Sequence, residues 1–173
     1  MDLWEAISTR SSIRQFGARG VNPSTVKKIL EAGIRAPSAG NRQSWHFVVV
    51  RHAGIKEELS QAAFGQGAVA QAPVVIVICA DPERSATKYG SRGRELYCLQ
   101  DTAAAAGHML LAATALGLGT CWVGAFDERP ATLALDLPKH LRPVAMILLG
   151  YPAEGPRTRT TRRPLHEVVS FVE

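Results

Sequence analysis

The chain is poor in cysteine, lysine and long apolar runs, and each shortage excludes a class of protein. Its three cysteines, Cys79, Cys98 and Cys121, include no Cys-x-x-Cys pair, so we expect neither a disulfide framework nor a zinc site. Cys79 and Cys121 lie in apolar stretches and are predicted core residues. No apolar run reaches the roughly 18–20 residues of a membrane span. The first residues lack the basic and apolar parts of a secretory signal, so we expect a cytoplasmic protein.

The positive charge is carried mostly by arginine. The chain has 20 lysines and arginines against 15 acidic residues, a formal net charge of +5, and only five of the basic residues are lysines. Arginine favours planar, bidentate contacts with phosphate and carboxylate groups. The charge therefore fits an unspecific basic surface, a site for an anionic ligand or a nucleic-acid contact, and charge alone leaves all three open.

The order of apolar runs predicts an α+β fold in a single domain over residues 1–173. The predicted strands are the apolar runs at 46–51, 73–80 and 143–149. The run at 73–80 shows no alternation, which is typical of a strand covered on both faces. Helical spacing or propensity marks residues 3–8, the segment from Asn22 to Pro37, and residues 55–63, 95–118 and 130–137, while 121–126 is either a short strand or a loop. We expect a mixed sheet with helices on both faces.

The alanine-rich segment 95–118 is apolar almost all round. Its predicted stripe consists of Leu99, Thr102, Ala103, Ala106, Leu110 and Ala113. Such a helix is either a central buried helix or an oligomer interface, and His108 within it is then a core or interface histidine. Residues 165–172 form an apolar tail that needs cover, which a partner subunit often provides.

A polar loop at residues 36–47 joins a predicted helix to a predicted strand. It reads APSAGNRQSWHF and concentrates Ser38, Asn41, Arg42 and Gln43 in a short connection. Loops positioned by rigid flanking elements are common places for binding and chemistry. We interpret this loop as part of a site.

Two arginine clusters could bind phosphate. Arg10 and Arg14 enclose two serines, which fits a cradle for a phosphate dianion but also a solvated helix end. The second cluster consists of Arg157, Arg159, Arg162 and Arg163. It fits a flexible basic tail or a nucleic-acid contact, although few aromatics accompany it to stack on bases.

A third stretch, residues 117–126, exposes bare backbone at Gly124 and Ala125 between two aromatic residues. Such a backbone lets a flat ligand approach main-chain groups closely. The stretch is not a dinucleotide fingerprint, because Trp122 occupies the third glycine position. A helix end followed by a strand also accounts for it.

The side chains offer little catalytic machinery of their own. The histidines lack metal-ligand spacing, and no Ser-His-Asp or Cys-His arrangement is visible. An enzyme built from this chain is therefore expected to take its chemistry from a cofactor.

Four segments together resemble the nitroreductase family of flavin enzymes. Residues 10–16 (RSSIRQF) are similar to the family's Arg-Arg-Ser-x-Arg-x-Phe opening, and 36–47 to its Ala-Pro-Ser-x-x-Asn-x-Gln-Pro-Trp-x-Phe loop. Residues 117–126 are similar to its Gly-Leu-Gly-Thr-x-Trp-x-Gly-x-Phe stretch, and 162–169 to its basic C-terminal end. Their order and spacing hold over nearly the whole chain.

The resemblance implies a homodimer with FMN at the subunit interface, a mainly antiparallel sheet and a C-terminal tail that packs on the partner. It implies a ping-pong oxidoreductase in which NAD(P)H reduces the flavin and a small flat acceptor, such as a nitroaromatic or a quinone, then oxidises it. It also implies that neither a nucleic acid nor a membrane takes part. The alternatives within the family are reductive dehalogenation and flavin fragmentation. The alternative from another class is a basic phosphate- or nucleic-acid-binding module.

By position, the resemblance implies that the phosphate is held by Arg10, Ser12 and one C-terminal arginine. That arginine is Arg162 or Arg163, and Arg159 stays open as an alternative. It places Arg14 near the flavin N1 and C2 carbonyl, the N–H of Gly124 near N5, and Gln66 at the pyrimidine edge. It implies that Pro37, Ser38 and Asn41 come from the partner subunit. The full cofactor-binding set it implies is Arg10, Ser11, Ser12, Arg14, Pro37, Ser38, Asn41, Gln66, Val123, Gly124, Ala125, Arg162 and Arg163.

The chain departs from the family pattern at three places. Ser11 replaces a second arginine, which removes one charge from the phosphate cluster. Ser44 replaces a proline in the polar loop. The segment 83–95 is short, so we expect that no large helical lid covers the flavin. The pocket is then open and accepts varied flat substrates.

Overall fold

The structure, a computed structural model, describes residues 1–154 and 160–173. Its strands are β1 (Trp45–Val50), β2 (Val74–Ala80), β3 (Gly119–Val123) and β4 (Arg142–Gly150). They form one sheet in the order β1-β2-β4-β3, and each neighbouring pair is antiparallel. Every residue of the central strand β2 is buried, as its unbroken apolar run predicted.

Helices precede, separate and cover these strands. They are α1 (Leu3–Thr9), α2 (Pro23–Gly33), α3 (Ala53–Ala62), α4 (Gly67–Gln71), α5 (Pro82–Arg92), α6 (Cys98–Ala115) and α7 (Glu128–Ala134). A π-helical turn, Gly93–Tyr97, leads into α6, and short 3-10 turns occupy Ala39–Asn41 and Leu165–Glu167. No helix within residues 1–154 or 160–173 is long and apolar enough to cross a membrane.

The sheet has a hydrophobic core on each face, which confirms the α+β prediction. Alternate residues of β2 point in opposite directions, so Val75 and Val77 join one core while Ile76 and Ile78 join the other. The first core packs under α3, α4 and α7, and the second packs under α2 and α6. The strands therefore form the rigid centre on which the loops at their ends are positioned.

Local signals located some elements and missed others. Asn22 caps α2 as predicted, since its Oδ1 accepts the N–H of Ser24 at 2.9 Å and Pro23 follows at the first helical position. The ambiguous stretch after residue 118 contains the strand β3. The sequence reading missed α4, which has only five residues, and α5, which is a polar surface helix without an apolar stripe.

The long helix α6 is buried on one side only. Thr102, Ala106 and Ala113 of the predicted stripe are buried, whereas Ala103 is exposed and Leu110 is half-buried. His108 is exposed as well, with Nδ1 3.3 Å from the carbonyl oxygen of Ala32, so it is not a core residue of the single chain. The other side of α6 is uncovered in the single chain, and its role as an oligomer interface stays a prediction.

Candidate functional site

The segment at residues 10–16 runs along the outer edge of β3. The N–H of Ile13 donates to the carbonyl of Thr120 at 2.8 Å, and Ser12 forms a parallel bridge with Thr120. This bridge gives the otherwise antiparallel sheet its one parallel pairing among the described residues. Covering the free edge of β3 also fixes the direction in which the neighbouring side chains leave the backbone.

Gly119 makes this close approach possible. A Cβ at that position would lie 2.8–2.9 Å from three side-chain atoms of Ile13, closer than carbon atoms pack. The absence of a side chain at Gly119 therefore lets the N-terminal segment sit against the strand.

This segment carries two guanidinium groups, those of Arg10 and Arg14. The backbone N–H of Arg10 donates to the carbonyl of Ala6 and so ends α1. Arg14 lies two residues after Ser12 and is exposed. No carboxylate among the described residues lies within ion-pair distance of either guanidinium. Both charges are therefore available to an anion, and the Ser12 hydroxyl lies between them in sequence.

The charge of these arginines reaches the strand beneath them. Burial raises the pKa of the Cys121 thiol, while Arg14, the Ser12 hydroxyl and Arg10 oppose that rise. Because burial dominates, the thiol stays protonated and is not a nucleophile at neutral pH. Cys121 thus packs in the core below the arginines, as its apolar context predicted.

The backbone immediately after β3 is bare and held in place by Gln66. Val123 is buried, whereas Gly124 and Ala125 are exposed. The side-chain Nε2 of Gln66 donates to the carbonyl of Ala125 at 3.0 Å and to that of Ala63 at 3.0 Å. Both amide hydrogens are thus engaged, and Oε1 is left as an acceptor.

One chain therefore brings residues 10–14, residues 123–125 and Gln66 together along β3, whereas the polar loop precedes a different strand. Pro37, Ser38 and Asn41 precede β1, which forms the opposite edge of the sheet. Three strand spacings separate the two edges, about 14 Å. Residue 45 and residue 123 both lie at the same end of the sheet, as the strand registers show.

The predicted C-terminal arginines are exposed and bonded within the tail. Arg162 donates to the Thr160 hydroxyl at 2.7 Å, and Arg163 pairs with Glu167 at 3.1 Å. The structure does not bring either guanidinium into a hydrogen bond with the groups along β3. Arg157 and Arg159 lie outside the described residues.

Sequence reasoning missed the side chain that holds the polar loop. Asp101, in the first turn of α6, is 4% exposed and accepts hydrogen bonds from the loop at Ala39 and Ser44. A single acidic residue inside an alanine-rich apolar helix was the available signal, because a buried carboxylate requires hydrogen-bonding partners.

The chain is similar to known proteins over most of its length. The family model described as "Nitroreductase family" matches residues 7–71 and 56–151. An NADH dehydrogenase of Thermus thermophilus is 34% identical, with 98% of this chain and 95% of the relative aligned. An FMN reductase [NAD(P)H] of Bacillus subtilis is 31% identical over 94% of this chain and 69% of its own length.

A solved structure shares the same fold. The crystal structure of a nitroreductase family protein from Clostridium novyi NT superposes with a TM-score of 0.81 at 35% identity, covering 92% of this chain and 89% of that one. The family model spans most of the sequence, and these relatives align with nearly all of it. The α+β architecture agrees with these matches, and the chain belongs to the nitroreductase family.

Proposed function

We propose that the protein is an FMN-dependent oxidoreductase that passes electrons from NAD(P)H to small flat acceptors such as nitroaromatics and quinones. The observation that carries the proposal is the group along β3: two guanidinium groups without an ion pair among the described residues, the exposed backbone of Gly124 and Ala125, and the Oε1 acceptor of Gln66. The FMN and NAD(P)H named for the Bacillus relative fit the chemistry of this group. Under this proposal residues 1–173 form a single FMN-binding domain.

The phosphate of FMN is assigned to Arg10, Ser11 and Ser12. Arginine gives charge-assisted hydrogen bonds to phosphate oxygens, and serine hydroxyls fill the remaining acceptor sites. Arg10 has no carboxylate partner among the described residues that would compete for its charge. A tail arginine, Arg162 or Arg163, completes the set; Arg163 must first exchange its bond to Glu167 for the phosphate.

The flavin ring is assigned to the turn after β3. Gly124 and Ala125 are exposed beside the Trp122 side chain, and the backbone N–H of Gly124 would face N5. Gln66 has a free Oε1, which suits the N3–H donor of the pyrimidine edge because both of its own amide hydrogens are engaged. Arg14 would offset negative charge at the N1 and C2 carbonyl side, which favours acceptance of a hydride. The bound FMN itself supplies the electron-transfer chemistry.

A second copy of the chain is required to complete the site. Pro37, Ser38 and Asn41 precede β1, the strand at the opposite edge of the sheet from the β3 group, and we assign them to the FMN of a partner subunit. Several apolar side chains are exposed in the single chain, including Leu3, Trp4 and Ile7 on α1 and Leu165, Phe171 and Val172 in the tail. Exposed apolar area of this kind marks an interface, and it supports a homodimer with the tail packed on the partner.

The test begins with the colour of the purified protein. We expect a yellow protein with about one FMN per subunit, a ratio that the proposed interface site requires. Stopped-flow mixing with NADH and with NADPH then measures reduction by each donor, and a panel of nitroaromatics and quinones measures re-oxidation. A colourless protein that ignores added FMN would refute the proposal. Salt-sensitive binding of DNA or RNA in that case would favour the basic binding module instead.

The same panel tests how open the acceptor pocket is. Residues 83–95 lie in α5 and the start of the π-helical turn, and an open pocket remains a prediction for this region. Turnover of several unrelated acceptors supports an open pocket, and turnover of a single compound contradicts it. Flavin that is reduced but passes no electrons to any acceptor would direct attention to the other reactions of the family.

A further inference from the structure

Asp101 of α6 holds both ends of the short segment 39–44, here called the anchored loop. Its Oδ1 accepts the backbone N–H of Ala39 at 2.9 Å, and its Oδ2 accepts the hydroxyl of Ser44 at 2.6 Å. Asp101 is 4% exposed and Ser44 is fully buried. Hydrogen bonds to a carboxylate in such a setting are stronger than bonds between neutral groups.

The anchored loop has a backbone that does not hold its shape on its own. Gly40, Asn41 and Gln43 all have φ between 51° and 55°, in the left-handed region. Non-glycine residues are uncommon there, and such conformations persist when the surroundings impose them. The N–H of Gln43 also donates to the Ser38 hydroxyl at 2.9 Å, so the position of Ser38 depends on this strained turn.

The hydrogen bonds to Asp101 are one tether of the loop, and a second, more exposed tether joins the loop to α5. Arg42 donates to the carbonyl of Arg84 at 3.1 Å and to the hydroxyl of Thr87 at 2.6 Å, and Arg84 donates back to the carbonyl of Arg42 at 2.6 Å. These bonds compete with water on the surface of α5. The buried bonds to Asp101 are therefore the stronger of the two tethers.

Asp101 and the loop depend on each other. The carboxylate forms no ion pair within the part of the chain that the structure describes. A buried carboxylate is costly unless it is hydrogen-bonded, and the loop donors are its side-chain and backbone partners from outside its helix. Ser44 stands where the family pattern has proline, so here a buried hydrogen bond takes the place of a rigid residue.

We propose that Asp101 is a positioning residue that fixes the anchored loop, so that Ser38 and Asn41 are presented to the FMN of the partner subunit. This inference rests on the proposed function. Asp101 does not touch the cofactor or the substrate, because it is buried and both of its oxygens are used by the loop. Its effect reaches the flavin only through the geometry of the loop.

Four variants separate positioning from general stability. Asp101→Leu removes both acceptors, and Ser44→Ala removes one donor while leaving the carboxylate in place. Asp101→Asn keeps an acceptor for Ala39 and offers an N–H to the Ser44 hydroxyl, so it should rescue the geometry. Ser85→Ala is the matched control for Ser44→Ala, since Ser85 is also fully buried but its hydroxyl has no hydrogen-bond partner.

The readouts are amide hydrogen exchange of residues 36–47 in the FMN-free protein and FMN titration at a temperature where each variant is folded. We expect faster exchange confined to this segment in Ser44→Ala and Asp101→Leu, and FMN dissociation constants raised about tenfold and about thirtyfold. Asp101→Asn should stay within about fivefold of wild type, because a neutral hydrogen bond is weaker than a charge-assisted one but keeps its direction. Ser85→Ala should match wild type in both measurements.

The outcomes distinguish the two proposals. If wild type binds FMN and Ser44→Ala behaves like Ser85→Ala in exchange and affinity, Asp101 is not a positioning residue. Exchange that rises evenly over the whole chain would also overturn it, because that result shows general destabilisation. If wild type itself binds no FMN, the proposed function fails, and with it the assigned purpose of the loop. Exchange then still reports whether Asp101 fixes the loop.

Discussion

Replacing Gly119 with alanine tests whether the phosphate-binding segment depends on its close approach to β3. The new Cβ would lie 2.8 Å from Cγ1 of Ile13 and 2.9 Å from its Cβ and Cγ2. Carbon atoms pack at about 3.5–4.0 Å, so Ile13 must move by roughly 0.7 Å or more. A β-branched side chain has few rotamers in which to escape, so the backbone of the segment must shift.

The expected cost follows from two opposing effects. Overpacking of a well-packed contact costs about 1–3 kcal/mol. Alanine also reduces the conformational freedom of the unfolded chain, which stabilises the fold by about 0.4–1 kcal/mol. We therefore expect Gly119→Ala to lower the free energy of unfolding by about 1–2 kcal/mol. Ser12 and Arg14 flank Ile13, so the same shift should weaken FMN binding about tenfold, or about 1.4 kcal/mol.

Urea unfolding of the FMN-free protein and FMN titration at constant temperature measure the two effects. Gly17→Ala is the control, because a Cβ there would lie 3.8 Å from the nearest atom, an ordinary contact on the same N-terminal segment. Unchanged stability and unchanged FMN affinity in Gly119→Ala would refute the reasoning. A loss of stability with unchanged affinity would confirm the contact but remove the segment from the FMN site.

Three further predictions address charge and burial. Arg14→Ala should weaken FMN binding or slow flavin reduction about tenfold, since hydrogen bonds to charged groups contribute about 1.5–3 kcal/mol; stopped-flow spectroscopy measures this, and equal effects in Arg19→Ala would contradict it. The Arg94 guanidinium donates two hydrogen bonds to Glu83 and holds the pKa of Glu83 below its usual 4.5. The stability that this pair contributes is fully present above the pKa of Glu83 in the unfolded chain, and it is lost as the pH falls through the lower pKa in the folded protein. When the pH is lowered from about 5 to 3 in urea melts, Glu83→Gln should therefore lose less free energy of unfolding than wild type does. Burial raises the pKa of Cys79 to about 12, so native protein at neutral pH should show no fast reaction of this thiol with a disulfide reagent, and a fast one only after unfolding.

Much of the candidate site could be predicted because its residues lie in short continuous segments of the sequence. The spacing of Arg10, Ser12 and Arg14, and the bare Gly124, are properties of consecutive residues. The structure adds the bond between Ile13 and Thr120 that sets the first group beside β3. The bond from Gln66 to Ala125 crosses 59 residues, and only the similarity to the family had linked these positions.

The role of Asp101 could not be predicted in this way. Its partners, Ala39 and Ser44, are 62 and 57 residues away in sequence, and no periodicity or local motif connects them. In the sequence, Asp101 is one acidic residue in an apolar helix, and its burial was not foreseen. A buried carboxylate acquires its partners only when the loop and α6 pack together.

The sequence by itself determined three of the four strands, β1, β2 and β4, as well as the cap of α2, the apolar character of α6 and the resemblance to the family. These features depend on neighbouring residues, whose propensities and spacing are visible in one dimension. The tertiary structure decided that β3 and β1, the strand that follows the polar loop, form opposite edges of one sheet, because strand order is set by how the whole chain packs. It also decided that a buried carboxylate holds the loop.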